Sequence, residues 1–131
     1  MLLVQFLSDD WLRALDGAAR ARPSAADDPL GDVSLSIEQV VTDVTRWRFV
    51  VDRGSMSVVT EESFEGDADI RLTSDRDTAA AIASGERAAL HAFIEGELVL
   101  GGDVRVLIQN KDALVSIGDV FARVSAATDF G

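Results

Sequence analysis

Residues 46–60 read Arg46-Trp47-Arg48-Phe49-Val50-Val51-Asp52-Arg53-Gly54-Ser55-Met56-Ser57-Val58-Val59-Thr60. Trp47, Phe49 and Val51 alternate with Arg46, Arg48 and Asp52, the two-residue period of a strand with one buried face. Arg53-Gly54-Ser55 then predicts a hairpin turn, with glycine accepting the positive φ that a tight turn demands. Met56, Val58 and Thr60 carry the same phase back along a second strand. An antiparallel hairpin with an apolar side needs other elements to cover it, so the flanking sequence has to supply both partner strands and a second layer.

Upstream, Val33, Leu35 and Ile37 alternate with Ser34, Ser36 and Glu38, which predicts another half-buried strand. Val40-Val41 interrupts the alternation and predicts a bulge or bend. A polar loop is expected from Pro23 to Gly31. Before it, Ser8 is a good helix cap, Asp9 and Asp10 suit the first turn, and Trp11, Leu12, Leu15, Ala18 and Ala19 recur at helical spacing. Downstream, Asp67-Ala68-Asp69 leads into a strand in which Ile70 and Leu72 face inward. Ser74-Asp75-Arg76-Asp77 resembles a capping box and opens a helix that stops at Gly85. A short helix follows from Glu86, with Leu90, Phe93 and Ile94 on one face. Leu98 and Leu100 give a fifth strand, closed by Gly101-Gly102. Residues 103–126 are helical in pattern, interrupted at Gln109-Asn110-Lys111, with a stripe of Leu114, Ile117, Val120, Phe121 and Val124. Strands grouped first and helices later predict an α+β layer forming a single domain over residues 1–131.

Acidic residues outnumber basic ones 23 to 12, for a net charge of -11. That excess excludes a nucleic-acid partner, whose phosphates need Lys and Arg, and argues against stable anchoring on an anionic membrane. No apolar run approaches the ~20 residues needed to span a bilayer, and the start has no basic leader, so a cytoplasmic protein is expected. With no cysteine, no tyrosine and one histidine, catalytic equipment is sparse. His91 sits beside Leu90, Ala92 and Phe93 with no orienting partner nearby in sequence. Asp67 and Asp69 lack a third donor, so no metal site is expected. The glycines of the run from Gly96 to Asp103 lack the Lys-Ser or Lys-Thr of a phosphate loop, and no cofactor is expected.

Four stretches, taken together, resemble the sterol carrier protein type 2 (SCP-2) domain. They are Phe6-Leu7-Ser8-Asp9-Asp10-Trp11; Trp47 to Gly54; Ala68-Asp69-Ile70-Arg71-Leu72-Thr73-Ser74; and Ala92-Phe93-Ile94-Glu95-Gly96-Glu97-Leu98-Val99-Leu100-Gly101-Gly102-Asp103. The resemblance implies a five-stranded, mainly antiparallel sheet with helices packed on one face. It also implies a tunnel between them that binds sterols, fatty acids or related lipids without chemistry. Two features depart from the family pattern. Glu97, Val99 and Gly101 stand where the fifth strand often carries lysines, and the chain has only two methionines, Met1 and Met56. Both turn the expectation away from acyl-CoA and toward a neutral or weakly polar ligand.

Alternation and helical phase nominate the ligand-binding wall: Leu35, Ile37, Trp47, Phe49 and Val58 from the sheet, and Ile82, Leu90, Phe93, Ile94, Leu107, Val120 and Phe121 from the helices. The expected partner is an apolar small molecule, with a homodimer left open. Two alternatives stand beside this reading. One is a small enzyme using His91. The other is an accessory or dimerisation domain with a closed pocket, whose uncovered sheet face presents Val40, Val50 and Val59.

Overall fold

The computed structural model describes residues 3–22, 31 and 33–130. The loop expected from Pro23 lies, apart from Gly31, outside the described residues. The elements are β1 (Val4–Gln5), α1 (Asp9–Arg20), β2 (Ser34–Val41), β3 (Thr45–Asp52), β4 (Ser55–Thr60), β5 (Ile70–Ser74), α2 (Arg76–Ser84), α3 (Ala89–Ile94), β6 (Val99–Gly102), α4 (Val104–Gln109), α5 (Lys111–Ser125) and β7 (Thr128–Asp129), with one 3₁₀ turn at Glu61–Ser63.

The five-stranded sheet has the order β4-β3-β2-β5-β6. Only β2 and β5 run parallel, so the sheet is mainly antiparallel within an α+β fold. Arg53 (φ 47°) and Gly54 (φ 88°) form the two-residue turn between β3 and β4. Two positive φ values give a turn whose twist matches that of the strands it joins.

Register arranges the inward side chains in rows across the strands. Leu35, Val51 and Met56 form one row, and Ile70, Ile37, Phe49 and Val58 the next. The third runs Leu100, Leu72, Gln39 and Trp47, with Thr60 at the edge. Helices cover this face. Trp11 of α1 meets Trp47 edge-on at 5.4 Å, and Phe121 of α5 meets Phe49 at 5.5 Å. Phe121 closes the core over the second row, while the Trp11–Trp47 contact reaches one end of the third.

Capping residues set the helix limits. Ser8 Oγ accepts the Trp11 N–H at 3.1 Å and opens α1. For α2 the cap is Asp75, not Ser74: Asp75 Oδ1 accepts the Thr78 N–H at 2.8 Å. Ser74 still belongs to β5, where its hydroxyl donates to the Asp75 carbonyl. Gly85 (φ 84°) ends α2, and the break between α4 and α5 falls at Asn110 (φ -120°, ψ 38°). The expected irregularity at Val40-Val41 is absent, because Val40 pairs with Arg46 and Val41 with Thr45 in unbroken register. The parallel pairing of β1 with β7 was not anticipated.

The far face of the sheet is more polar. Glu38, on β2, is fully buried there. Its Oε1 accepts from Arg48 Nε and its Oε2 from Arg71 Nε, both at 2.9 Å. Arg48 also donates to the carbonyls of Glu65 and Gly66 and lies 4.2 Å from the Phe64 ring centroid. Residues 64–66 are thereby drawn across the sheet, and Glu38 has a guanidinium on each oxygen, the condition under which a buried carboxylate is tolerable. Val40, Val50 and Val59 are only partly buried on this face.

Candidate functional site: a cavity between sheet and helices

Beside the Trp11–Trp47 contact, over the rest of the third row, the two layers part. A cavity of about 280 Å³ lies there. Its floor is Leu72, Gln39, Trp47, Val41 and Ser74 from β5, β2 and β3. Its sides are Phe6, Trp11 of α1, Ala79, Ile82 and Ala83 of α2, the segment Arg87-Ala88-Ala89, Leu98, and Leu114, Ile117, Gly118 and Phe121 of α5. The void follows from side-chain size. Among the larger side chains that α2 and α5 turn to it, Ala79, Ala83 and Gly118 leave gaps too deep for their neighbours to fill. A close-packed interior fills space of this size unless small residues hold it open.

A narrower crevice of about 20 Å³ lies alongside, lined by Leu72, Ala89, Leu90, Phe93, Leu98, Leu107 and Leu114. Four of these residues also line the larger cavity. A roomier hollow between α1 and β4, about 590 Å³, is walled largely by polar and charged groups such as Asp9, Arg13, Arg20, Arg46 and Glu62, and offers an apolar molecule little.

Polar groups in the cavity are few. Gln39 interrupts the inward apolar phase of β2 between Trp47 on one neighbouring strand and Leu72 on the other. Trp47 Nε1 is buried without a hydrogen-bond partner. Arg87 pairs with Glu95 and Glu97, and the Glu97 carboxylate holds the guanidinium's pKa above its ordinary value.

The nominated residues divide into groups. Trp47, Ile82 and Phe121 line the cavity, and Leu90, Phe93 and Leu107 line the crevice. Leu35, Ile37, Phe49 and Val120 are core instead, under the rows that α1 and α5 close down on. Val58 is buried on β4 beside the polar hollow. Ile94 is 70 % exposed, because α3 buries Ala92 and turns Ile94 away. His91 is exposed and has no polar partner among the described residues, so nothing orients it as a base. Among the described residues no three His, Cys, Asp or Glu side chains gather to hold a metal ion.

The sequence reading missed Gln39, Arg87 and the alanines and glycine of the wall. Gln39 carried a signal: a polar residue at a core-phase position of a strand, between Ile37 and Val41.

Residues 9–115 match the model of the SCP-2 sterol transfer family, and the chain belongs to that family. Solved structures agree on the fold. A crystal structure of sterol carrier protein 2 superposes with a TM-score of 0.68 at 20 % identity, covering 91 % of this chain and 98 % of that one. The solution structure of a conserved hypothetical protein from Thermus thermophilus gives 0.68 at 17 % identity, covering 100 % and 97 %. The palmitated SCP2L2 of Aedes aegypti gives 0.54 at 19 % identity, covering 78 % and 92 %. No curated protein matches the chain by sequence. Family and fold together place the chain in the class of lipid-binding and lipid-transfer domains. No helix among the described residues is long and apolar enough to cross a membrane.

Proposed function

We propose that this chain carries a single-chain lipid, without catalysis, in the cavity between the third sheet row and helices α2 and α5. The observation behind this reading is the unfilled space itself, about 280 Å³ and walled mainly by apolar side chains. An apolar cavity of ~150 Å³ holds one benzene, so this one has room for roughly a dozen heavy atoms. A flexible chain of about ten carbons fits that volume, whereas a whole sterol with its side chain has more than twice as many heavy atoms. The palmitated SCP2L2 of Aedes aegypti supports a straight chain as the kind of guest, although palmitate is longer than this cavity holds.

Burying roughly 300 Å² of such a chain at about 25 cal/mol per Å² gains ~7 kcal/mol before ordering costs, which corresponds to micromolar affinity at best. Binding at this strength suits a carrier that must also release. Native mass spectrometry of the purified chain, followed by solvent extraction, tests the reading. A co-purified single-chain lipid is the expected result. Bare protein that also takes up no added 1-decanol would overturn it.

A further inference from the structure

The charges at the cavity wall select among chain lipids. Arg87 is the sole charged side chain lining the cavity among the described residues. Its guanidinium is already committed, with Nη1 on the Glu97 carboxylate and Nη2 on that of Glu95. One cation shared by two carboxylates leaves a net negative charge. A fatty-acid anion arriving there must evict one of them or go without a counter-ion.

Elsewhere the wall offers only neutral polar groups. The Gln39 amide sits on the floor, the Ser74 hydroxyl already donates to the Asp75 carbonyl, and Trp47 Nε1 is a buried donor without an acceptor. A neutral hydroxyl, carbonyl or ester oxygen matches such groups. A carboxylate taken from water without a paired cation is penalised far more heavily.

We infer that the ligand is an uncharged single-chain amphiphile of the fatty alcohol, aldehyde or glyceride type. Glu95 and Glu97 exclude the corresponding acids by keeping Arg87 occupied. This selectivity rests on the carrier reading and deepens it by naming the headgroup.

Trp11 and Trp47 both stand on the cavity wall and are the only tryptophans, so their emission reports occupancy directly. The experiment titrates 1-decanol and decanoate into the intact chain at about pH 8, where the acid is ionised. 1-Decanol is expected to bind about tenfold more tightly, or better. In a Glu95→Gln/Glu97→Gln variant, decanoate should gain about tenfold while 1-decanol stays unchanged. These side chains are 61 % and 47 % exposed, so the fold does not depend on them. Decanoate binding as tightly as 1-decanol to the unsubstituted chain would overturn the selectivity and leave the carrier reading standing. No gain for decanoate in the variant would overturn the part given to the two glutamates. Silence from both ligands would overturn the carrier reading and the selectivity with it.

Discussion

Gly118 offers a substitution in which stability and ligand binding move in opposite directions. It lies inside α5 and borders the cavity, and a Cβ built there meets no atom within 4 Å. A glycine in a helix interior costs about 1 kcal/mol relative to alanine, so Gly118→Ala should stabilise by roughly that amount. Gly118→Leu keeps most of this gain and, from the exposed position Gly118 holds at the cavity's open side, lays four carbons over the void. Partial burial adds about 1 kcal/mol after lost rotamer freedom, giving a melting temperature roughly 5 °C higher. The same side chain occupies roughly a third of the free volume. Displacing about four ligand methylenes at ~0.8 kcal/mol each weakens 1-decanol binding roughly 200-fold. Thermal melts followed by circular dichroism and tryptophan-emission titrations read the two effects on one preparation. A leucine variant that melts higher yet binds 1-decanol as before would show that the ligand sits elsewhere. One that melts lower would show that Gly118 does not border open space.

Three further outcomes are expected. Burial raises the Glu38 pKa, but the Arg48 hydrogen bond and the Arg71 charge outweigh it, and the net shift is downward. Its stabilisation is therefore present above the ordinary glutamate range and lost as pH falls through the lowered value. Glu38→Gln should cost about 3 kcal/mol in urea melts near neutral pH, because it leaves Arg48 buried beside a neutral amide. That gap should narrow as pH falls below the ordinary glutamate range and close only beneath the lowered folded value, and a gap independent of pH would refute the assignment. Gly102 has φ 103°, and an added Cβ would lie 2.7 Å from the Asp69 carbonyl oxygen. Gly102→Ala should cost roughly 2 kcal/mol or more in a thermal melt, and an unchanged melt would count against the β5–β6 geometry. Asp16 of α1 accepts the Val58 N–H of edge strand β4 at 2.8 Å. Asp16→Ala should destabilise by about 1 kcal/mol and speed hydrogen exchange at the Val58 amide. Unaltered exchange there would sink the claim.

The sheet and most helix limits were readable from the sequence because they follow from local chemistry. Trp47-Arg48-Phe49 sets a strand phase, Arg53-Gly54 a turn, Ser8 a cap and Gly85 a stop. The parallel neighbours β2 and β5 were not readable, since pairing between segments so far apart in the chain leaves no local mark. The cavity was harder for a different reason. Reading apolar periodicity finds large side chains, and large side chains fill space. Ile37 and Phe49 were therefore nominated as wall and turned out to be packing. Part of the void's wall is Ala79, Ala83 and Gly118, whose contribution is the absence of atoms. Helical phase shows which way such residues point, but not that the opposite layer falls short of them. Arg87 gave no signal either, because its pairing with Glu95 and Glu97 depends on the turn around α3.

The buried carboxylate of Glu38 also bears on how the sheet assembles. β2 lies between β3 and β5, so its register fixes both sides of the sheet. A slip of one residue would turn every β2 side chain over, pushing Glu38 in among aromatic rings and expelling Ile37 into water. Hydrophobic alternation alone penalises that error modestly, whereas a naked charge in the interior forbids it. A residue on the side away from the ligand thus acts as a proofreader, admitting only the alignment in which the hollow over Gln39 can form.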